Sequence, residues 1–339
     1  MSGVLSTGSD CLVDHMSETP APLRAKFAEA LQRVRFVSSL DNDALIDRVE
    51  AKRLLRCDDA TIDDLVAQGL RIDRRTEAFS YCDIMNVGLY SGTARSVPEL
   101  AERFITRFSA EPPRTWTQRR RWRLAVEGRC TRANGCAGGQ WALAAATAQA
   151  YRRYPSDARS RVNAFRTTFE AETSGYQMEV QAAPIRRLHS ECLERFRSGA
   201  WQYQYLPRGL RDDPVAADRL GVMNCFSVAG WLSERLRMLG IETRVRHGLL
   251  LAFMGMEHAW VDARDADGVF KPLDPVIAVL AARSAVPASS FGSFTCGSRL
   301  NRILALRAHT GQMVTHACDG REQAVTLLVY ATPADRRSG

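Results

Sequence analysis

The 339-residue sequence predicts an α+β fold in which a helix packs on an antiparallel sheet, preceded by a mainly helical region. Apolar residues recur at helical spacing from Val228 to Leu239 and stop at Gly240, which predicts one helix. Two strand-like segments follow, 243–254 and 258–263, and a polar turn leads into a third strand that ends near residue 274. These elements, with helical periodicity upstream of residue 200, predict the fold class.

Composition and periodicity predict the domain organisation. With 45% apolar residues, a chain of this length can bury the cores of two or three domains. We expect a disordered lead-in at 1–20, a helical module at 21–110, a helical region at 111–200 and a core domain at 201–335.

Cysteine usage and the N-terminal sequence predict the compartment. The nine cysteines include no C-x-x-C pair, which favours reduced thiols over a disulfide framework. The first twenty residues lack the basic start and apolar stretch of a secretory signal, and no segment has the composition of a membrane span. We therefore expect a cytoplasmic protein without membrane contact.

The module at 21–110 contains two predicted helices, 45–55 and 60–67, and a further one at 81–87. This order resembles the helix-turn-helix of excisionase-like and MerR-like proteins, which place the second helix in the DNA major groove. Here that helix and the turn before it carry four aspartates and no basic residue: Asp58, Asp59, Asp63 and Asp64. Because carboxylates repel phosphates, we expect a structural or partner-binding unit, with DNA binding as the alternative.

Arginines cluster at the start of the region 111–200. This arginine patch comprises Arg114, Arg119, Arg120, Arg121, Arg123, Arg129 and Arg132, interleaved with Trp116 and Trp122 and opposed by Glu127. A solvated helical face explains such a run. The functional alternative is a docking surface for an acidic partner, such as an acyl carrier protein, or for a peptide substrate.

Two cysteines at the end of the patch have metal-ligand chemistry but an unsuitable local spacing. Cys130 and Cys136 are six residues apart, and no second ligand pair stands beside them. A zinc site needs four ligands, so the sequence predicts no metal centre here and no cofactor elsewhere.

Cys225 is the candidate nucleophile. It directly precedes the helical run that begins at Val228, so its thiol is expected in the first turn. A helix N-terminus carries partial positive charge and unpaired N–H groups, which favour a thiolate and can hold an oxyanion.

His258 and Asp274 are the candidate base and its partner. A turn centred near residue 266 places them directly opposite each other on neighbouring antiparallel strands, with their side chains on one face. The carboxylate can then take the imidazole N–H and hold the tautomer that deprotonates a thiol.

Each of these residues also has a structural interpretation. Cys225 can be a small buried apolar residue, His258 a half-buried strand residue beside Trp260, and Asp274 a turn residue before Pro275. The three together, at a helix start, on a strand and on its partner strand, favour the catalytic interpretation.

The segment from Gly221 to Pro275 resembles the core of the transglutaminase-like superfamily. Shared features are the cysteine at a helix start, a Leu-Gly-Ile at 239–241, Arg244, and the motifs His-Ala-Trp-Val at 258–261 and Leu-Asp-Pro at 273–275. Met223-Asn224 departs from the tighter Gly-x-Cys that is common in the family. The resemblance implies a papain-like Cys-His-Asp site, with Gln202 or Gln204 of the preceding aromatic segment as candidates to complete the oxyanion hole.

The resemblance covers about 55 of 339 residues and implies a thioester route without specifying the acyl acceptor. We expect a cysteine acyltransferase that forms an amide on a carrier-bound or small acyl substrate in a biosynthetic pathway. The alternatives are a cysteine protease or amidase that matures a peptide, and a DNA-binding regulator with a non-catalytic core.

Overall fold

The computed structural model describes residues 19–37, 44–130, 136, 139–143, 152–153, 159–161, 164–252, 254–284, 286–306, 314–318, 320–323 and 325–334. The predicted lead-in lies almost wholly outside these residues, as does Arg132. The chain divides into two compact units, one of residues 1–100 with 204–208 and one of residues 101–203 with 209–339. Within the described part, no helix is both long and apolar enough to cross a membrane.

The first unit is mainly helical, as predicted for most of 21–110. Its elements are α1 (Ala21–Arg33), β1 (Leu45–Ile46), α2 (Arg48–Leu55), α3 (Asp59–Ala67), β2 (Ile72–Asp73), β3 (Ala78–Ser80) and α4 (Tyr81–Tyr90), and α5 (Val97–Thr106) crosses into the second unit. The three short strands form one antiparallel sheet. Buried apolar side chains from the helices form its core, among them Phe27, Leu55, Ile62 and Ile84.

The acidic second helix of this module, α3, is tied to its neighbours by charge. Asp58 caps α3 by accepting the Thr61 N–H at 2.9 Å and also pairs with Arg24 at 3.1 Å. Asp63 pairs with Arg48 at 2.7 Å, and Lys52 pairs with Asp59 at 2.7 Å. The aspartates thus have structural partners on α1 and α2. The resemblance of this module to DNA-binding proteins stays a prediction.

The second unit carries the remaining strands. They are β4 (Arg120–Cys130), β5 (Gly139–Leu143), β6 (Arg152–Arg153), β7 (Arg159–Arg161), β8 (Ala164–Thr173), β9 (Tyr176–Gln177), β10 (Gln202–Tyr203), β11 (Val222–Met223), β12 (Thr243–Leu251), β13 (Met254–Arg264), β14 (Phe270–Leu273), β15 (Ser298–Arg299), β16 (Ile303–Ala305), β17 (Val314–Cys318), β18 (Arg321–Gln323) and β19 (Val325–Pro333). Nine of them form one sheet in the order β16-β12-β13-β19-β4-β8-β6, with β14 beside β13 and β7 beside β8.

The helices of this unit flank the strands that carry the candidate site. They are α6 (Ala183–Arg197), α7 (Arg208–Arg211, which begins in the first unit), α8 (Pro214–Leu220), α9 (Cys225–Met238), α10 (Pro275–Ser284) and α11 (Phe291–Phe294), and two 3-10 turns lie at 107–110 and 113–116. Helix α9 packs on β12, β13 and α6. The predicted combination of a helix on an antiparallel sheet is confirmed.

Both faces of the large sheet are covered by apolar side chains. Leu249 and Leu251 belong to one buried cluster, whereas Leu250 belongs to another with Trp260 and Phe291. Successive side chains of a strand point to opposite faces, so β12 contributes to a core on each side. This double burial accounts for the apolar run Leu249-Leu250-Leu251 at the end of β12.

The prediction of a helical region at 111–200 was wrong for most of its length. Trp122, Leu124 and Val126 on β4 alternate inward and are buried, and Phe169 and Ala171 do the same on β8. This period of two belongs to a strand, and the described arginines of the patch therefore lie along β4 and the turns before it. Among the described residues of 111–200, α6 is the one α-helix.

The arginine patch also has more acidic partners than the sequence indicated. Arg119 pairs with Glu172 of β8, which Arg121 approaches to 3.5 Å, and Arg120 lies 3.8 Å from Glu111. Since β4 and β8 pair with β19 in the same sheet as β13, the core domain begins well before the predicted residue 201.

Candidate active site

Cys225 is the first residue of α9, as predicted. Asn224 caps the helix: its side-chain oxygen accepts the N–H groups of Phe226 and Ser227, each at 3.0 Å, and the Ser227 hydroxyl accepts the Asn224 N–H at 2.8 Å. This reciprocal capping box fixes the entry of the chain into the helix. Cys225 is 6% exposed, and its thiol lies 3.9 Å from the Glu257 carbonyl oxygen.

The cap also determines which backbone donors can serve an oxyanion. Two N–H groups of the first turn are already bonded to the Asn224 side chain. The expectation that any N–H group of this turn can bind an oxyanion therefore does not hold for these two. The N–H of Cys225 itself is the first-turn donor that the Asn224 side chain does not occupy. An oxyanion hole at this site is therefore expected to use the backbone N–H of Cys225.

His258 and Asp274 form a buried, hydrogen-bonded pair. His258 Nε2 lies 2.6 Å from Asp274 Oδ2, and the residues are 3% and 4% exposed. Cys225 lies near enough to the same imidazole to contribute to raising its pKa. With Nε2 engaged by the carboxylate, Nδ1 is the nitrogen that can face the thiol, so the structure brings together all three predicted residues.

The register between the two strands differs from the predicted one. Val261 pairs with Leu273 across β13 and β14, because the connecting turn is centred on residue 267 instead of 266. Extending this register by one pair places Asp274 opposite Trp260, diagonal to His258. A shift of two residues keeps a side chain on the same face, and the diagonal distance is within reach of an imidazole and a carboxylate.

Contacts at the end of β14 hold Asp274 in place. Its backbone N–H donates to the Thr295 carbonyl at 3.0 Å, and its Oδ1 accepts the Ile277 N–H at 3.4 Å as α10 begins. The turn of the hairpin is fixed as well. Buried Lys271 pairs with Asp265 at 2.5 Å, and Asp265 accepts the N–H groups of Gln181 and Ala182 at 2.6 and 2.8 Å.

The electrostatic environment favours a charged imidazole. Burial by itself lowers the pKa of His258, but the charge of Asp274 and its hydrogen bond outweigh burial, and Cys225 adds to them. The result is a His258 pKa raised to about 10. An imidazolium at this position can stabilise a neighbouring thiolate and later act as a general acid.

A second buried histidine, His189 on α6, was not predicted. Its Nε2 lies 3.1 Å from the Thr295 hydroxyl, and burial lowers its pKa to about 4, against the opposing effect of the Asp274 charge. His189 is therefore a neutral side chain in the electrostatic environment of Asp274. A single histidine within a helical sequence gives no signal for such a role.

Arg211 is another neighbour that the sequence did not indicate. Its guanidinium stacks over the ring of Phe226 at 4.3 Å and lies 3.4 Å from a Glu257 carboxylate oxygen. Phe226 directly follows Cys225 in the sequence, and Glu257 directly precedes His258. Arg211 therefore contacts the sequence neighbours of the candidate residues Cys225 and His258.

The two glutamines proposed for the oxyanion hole have different surroundings. Gln202 lies on β10, which pairs in parallel with β11 and places Gln202 beside Val222, three residues before the nucleophile. Gln204 is buried, and its amide accepts the Arg35 N–H at 3.0 Å and donates to the Arg35 carbonyl at 3.1 Å. Gln202 is therefore the candidate that we retain.

Residues 167–275 match the family model of the transglutaminase-like superfamily. That segment contains most of β8, all of α9, β13 and β14, and the three candidate catalytic residues, so the match falls on the part of the chain that carries the candidate site.

Among solved structures, the chain is similar to a "Putative Cysteine Protease" from Cytophaga hutchinsonii, with 10% sequence identity and a TM-score of 0.33, over 66% of this chain and 93% of that one. A likeness of this extent carries no information on substrate or activity. No curated protein matches the chain.

Proposed function

We propose that the protein is a cysteine acyltransferase that forms an amide through a thioester on Cys225. The proposal rests on the hydrogen bond of 2.6 Å between His258 and Asp274 beside a thiol at a helix start. The family match at 167–275 supports cysteine chemistry in this core. It does not separate acyl transfer from proteolysis.

In the first half-reaction the Cys225 thiolate attacks the acyl carbonyl carbon. The new C–S bond leaves an oxyanion, which the Cys225 N–H and the Gln202 amide are placed to receive. Collapse of this intermediate breaks the bond to the leaving group, which takes its proton from the His258 imidazolium. A thioester and a neutral imidazole remain.

In the second half-reaction the acceptor amine attacks the thioester and gives its proton to His258. A second oxyanion forms and collapses with loss of the Cys225 thiolate, so that the imidazolium–thiolate pair is restored and the amide is released. Asp274 orients the ring and stabilises its charged form in both half-reactions. No metal or cofactor is required for these steps.

The burial of the site favours an amine over water as acceptor. Cys225 is 6% exposed and His258 is 3% exposed, so a thioester formed here is shielded from bulk solvent. An amine that docks against the site can then compete with hydrolysis. Cysteine proteolysis or amidase activity, in which water takes the acyl group, is the alternative.

We further propose that the acyl donor is a small or carrier-bound acyl group. Arg119 and Arg121 of the arginine patch have side chains that are 69% and 65% exposed, which suits contact with an acidic carrier. Their pairing with Glu172 limits the net charge of this surface. A carrier that binds here therefore has to compete with an internal carboxylate.

The proposal is tested by measuring how an acyl group partitions between amine and water. Acyl thioesters of N-acetylcysteamine are short mimics of a pantetheine-bound acyl group, and a panel of them is offered with and without a primary amine. We expect amide as the main product in the presence of amine, and no turnover by Cys225→Ala. Carboxylic acid as the main product at every amine concentration would establish a hydrolase instead.

A further inference from the structure

Four metal-ligating side chains meet outside the candidate active site. They are Cys130, Cys136, His316 and Cys318, and one ligand atom from each lies within 4.8 Å of all the others. None of these three cysteines forms a disulfide, and His316 Nε2 lies 3.0 Å from Cys136 Sγ. Nothing in the proposed acyl-transfer chemistry uses these residues.

Sheet geometry explains why these residues converge. His316 and Cys318 stand two apart on β17, so their side chains share one face. Cys130 ends β4, opposite Val325 at the start of β19, which follows the β17–β18 hairpin directly. Two parts of the chain that are 180 residues apart in sequence thus meet at Cys136 and His316.

The close packing of β5 against β17 beside the cluster requires a glycine at one position. Gly139 pairs with Cys318 across β5 and β17, and a Cβ atom there would lie 2.1 Å from the Ala317 carbonyl oxygen and 2.8 Å from the His316 ring. Only glycine permits so close an approach. The Trp141 ring stacks on the His316 imidazole with a centroid distance of 3.9 Å, which fixes the ring plane.

The burial of the histidine requires an explanation. His316 is completely buried, and its Nδ1 has no hydrogen-bond partner among the described residues. Burying an imidazole among thiols is costly unless its nitrogen lone pair is used. Coordination of a cation uses the Nε2 lone pair, which already faces the Cys136 thiol at 3.0 Å, and leaves the ring proton on Nδ1.

We propose that Cys130, Cys136, His316 and Cys318 bind one structural Zn²⁺ ion. Three thiolates and one imidazole are a ligand set typical of structural zinc, and soft sulfur ligands disfavour Mg²⁺ and Ca²⁺. With Zn–S bonds of about 2.3 Å, a tetrahedron has S···S edges of about 3.8 Å. Ligand atoms within 4.8 Å of one another need little movement to reach these edges.

Four protein ligands close the coordination sphere, so this ion has no position for substrate. It ties the end of β4 and Cys136 to β17 of the small β18-β17-β5 sheet. The expectation of no metal centre considered the local spacing of Cys130 and Cys136. The second ligand pair, on β17, becomes visible only through the fold.

The first experiment measures metal in purified wild-type protein by elemental analysis after expression with added zinc. We expect about one zinc per chain, and the same value in Cys225→Ala and in the matched control Cys296→Ser. Cys296 is a free, partly exposed cysteine outside the cluster. Cys136→Ser and Cys318→Ser should lose most of the metal.

A second experiment uses only wild-type protein, because a cluster variant that does not fold would also lose zinc. Chelation should lower the melting temperature, speed alkylation of Cys130, Cys136 and Cys318, and be reversed by added Zn²⁺. Added Co²⁺ should instead give thiolate-to-cobalt absorption bands. Wild-type protein that takes up neither ion, or zinc retained in a Cys136→Ser/Cys318→Ser variant, would overturn the assignment, whatever the outcome for acyl transfer.

Discussion

His258 and Asp274 form a hydrogen-bonded pair that can carry charge and is almost entirely buried. Removing one partner from such a pair leaves the other uncompensated, which commonly costs about 3–5 kcal/mol. The Asp274→Asn substitution avoids much of this cost because the amide keeps a hydrogen-bonding group of the same shape. It therefore separates the electrostatic role of Asp274 from its role in packing.

The pH dependence of acylation should report the raised pKa of His258. The imidazolium acts as the acid that protonates the leaving group, so the acylation rate should fall as pH rises through about 10 in wild-type protein. In Asp274→Asn the raising charge is lost while burial still lowers the pKa, so this alkaline limb should move to lower pH. Acylation rates measured by stopped-flow across the pH range will show the shift.

His189→Gln is the control for this measurement. Burial lowers the pKa of His189 to about 4, so its ring is neutral throughout the range tested and its loss should leave the alkaline limb in place. An alkaline limb that is identical in wild type and Asp274→Asn would argue against the assigned role of the carboxylate.

The raised pKa of His258 also makes the stability of the fold depend on pH. Because the pKa of His258 is raised on folding, the stabilisation is complete below about pH 6.5, the unfolded value, and is lost as pH rises through about 10.

At the scale of elements, the cap of α9 links helix stability to the position of the nucleophile. Asn224→Ala removes two hydrogen bonds to first-turn N–H groups and should lower the free energy of unfolding by about 0.5–2 kcal/mol. It should also slow iodoacetamide labelling of Cys225 relative to Cys296, whose pKa is raised to about 11 by burial. Peptide mapping at neutral pH gives both rates.

Asp213→Ala provides the matched control. Asp213 caps α8 by accepting the Ala216 N–H at 3.0 Å, so its loss should cost a similar amount of stability. Labelling of Cys225 should be unchanged. Equal loss of labelling in both variants would mean that general loosening, and not the cap of α9, controls the thiol.

Elements whose apolar residues recur with a clear helical or strand spacing could be predicted from the sequence. Elements in which other residues obscured this spacing could not. The helix at α9 and the strands β12 to β14 followed from apolar spacing and a polar turn. On β4 the inward alternation of Trp122, Leu124 and Val126 was present, but the surrounding arginines are good helix formers and favoured a helical interpretation. The three candidate catalytic residues were identifiable because a local motif carries each one.

At the scale of the whole molecule, long-range pairing determines what the sequence could not reveal. Strand β19 pairs with β4, where Cys130 lies opposite Val325, so this pairing joins two distant segments of the sequence. Strand β19 also pairs with β13, and β4 pairs with β8. No local period specifies such partners. The cluster of Cys130, Cys136, His316 and Cys318 depends on this pairing, whereas the candidate active site lies within 50 residues of sequence.

The helical module at 21–110 gives a prediction at this scale. Its acidic α3 should prevent specific duplex binding, so any affinity for DNA should be weak and should vanish at moderate salt. Asp59→Asn/Asp63→Asn removes two carboxylates that are 59% and 63% exposed and should raise this non-specific affinity. Mobility-shift assays over a salt series measure both. Tight, sequence-selective binding at physiological salt would support the regulator interpretation instead.

The central claim is that Cys225 carries the acyl group. The most direct measurement is intact-mass analysis after exposure to p-nitrophenyl acetate, with peptide mapping of the adduct. Wild-type protein should form a thioester at Cys225, and Asp274→Asn should form it slowly while melting near the wild-type temperature. Cys225→Ala and His258→Ala should each abolish it, and the double variant should lose little more turnover than either alone, because thiol and imidazole act as a unit. An adduct on another residue, or full turnover by Cys225→Ala, would contradict the account.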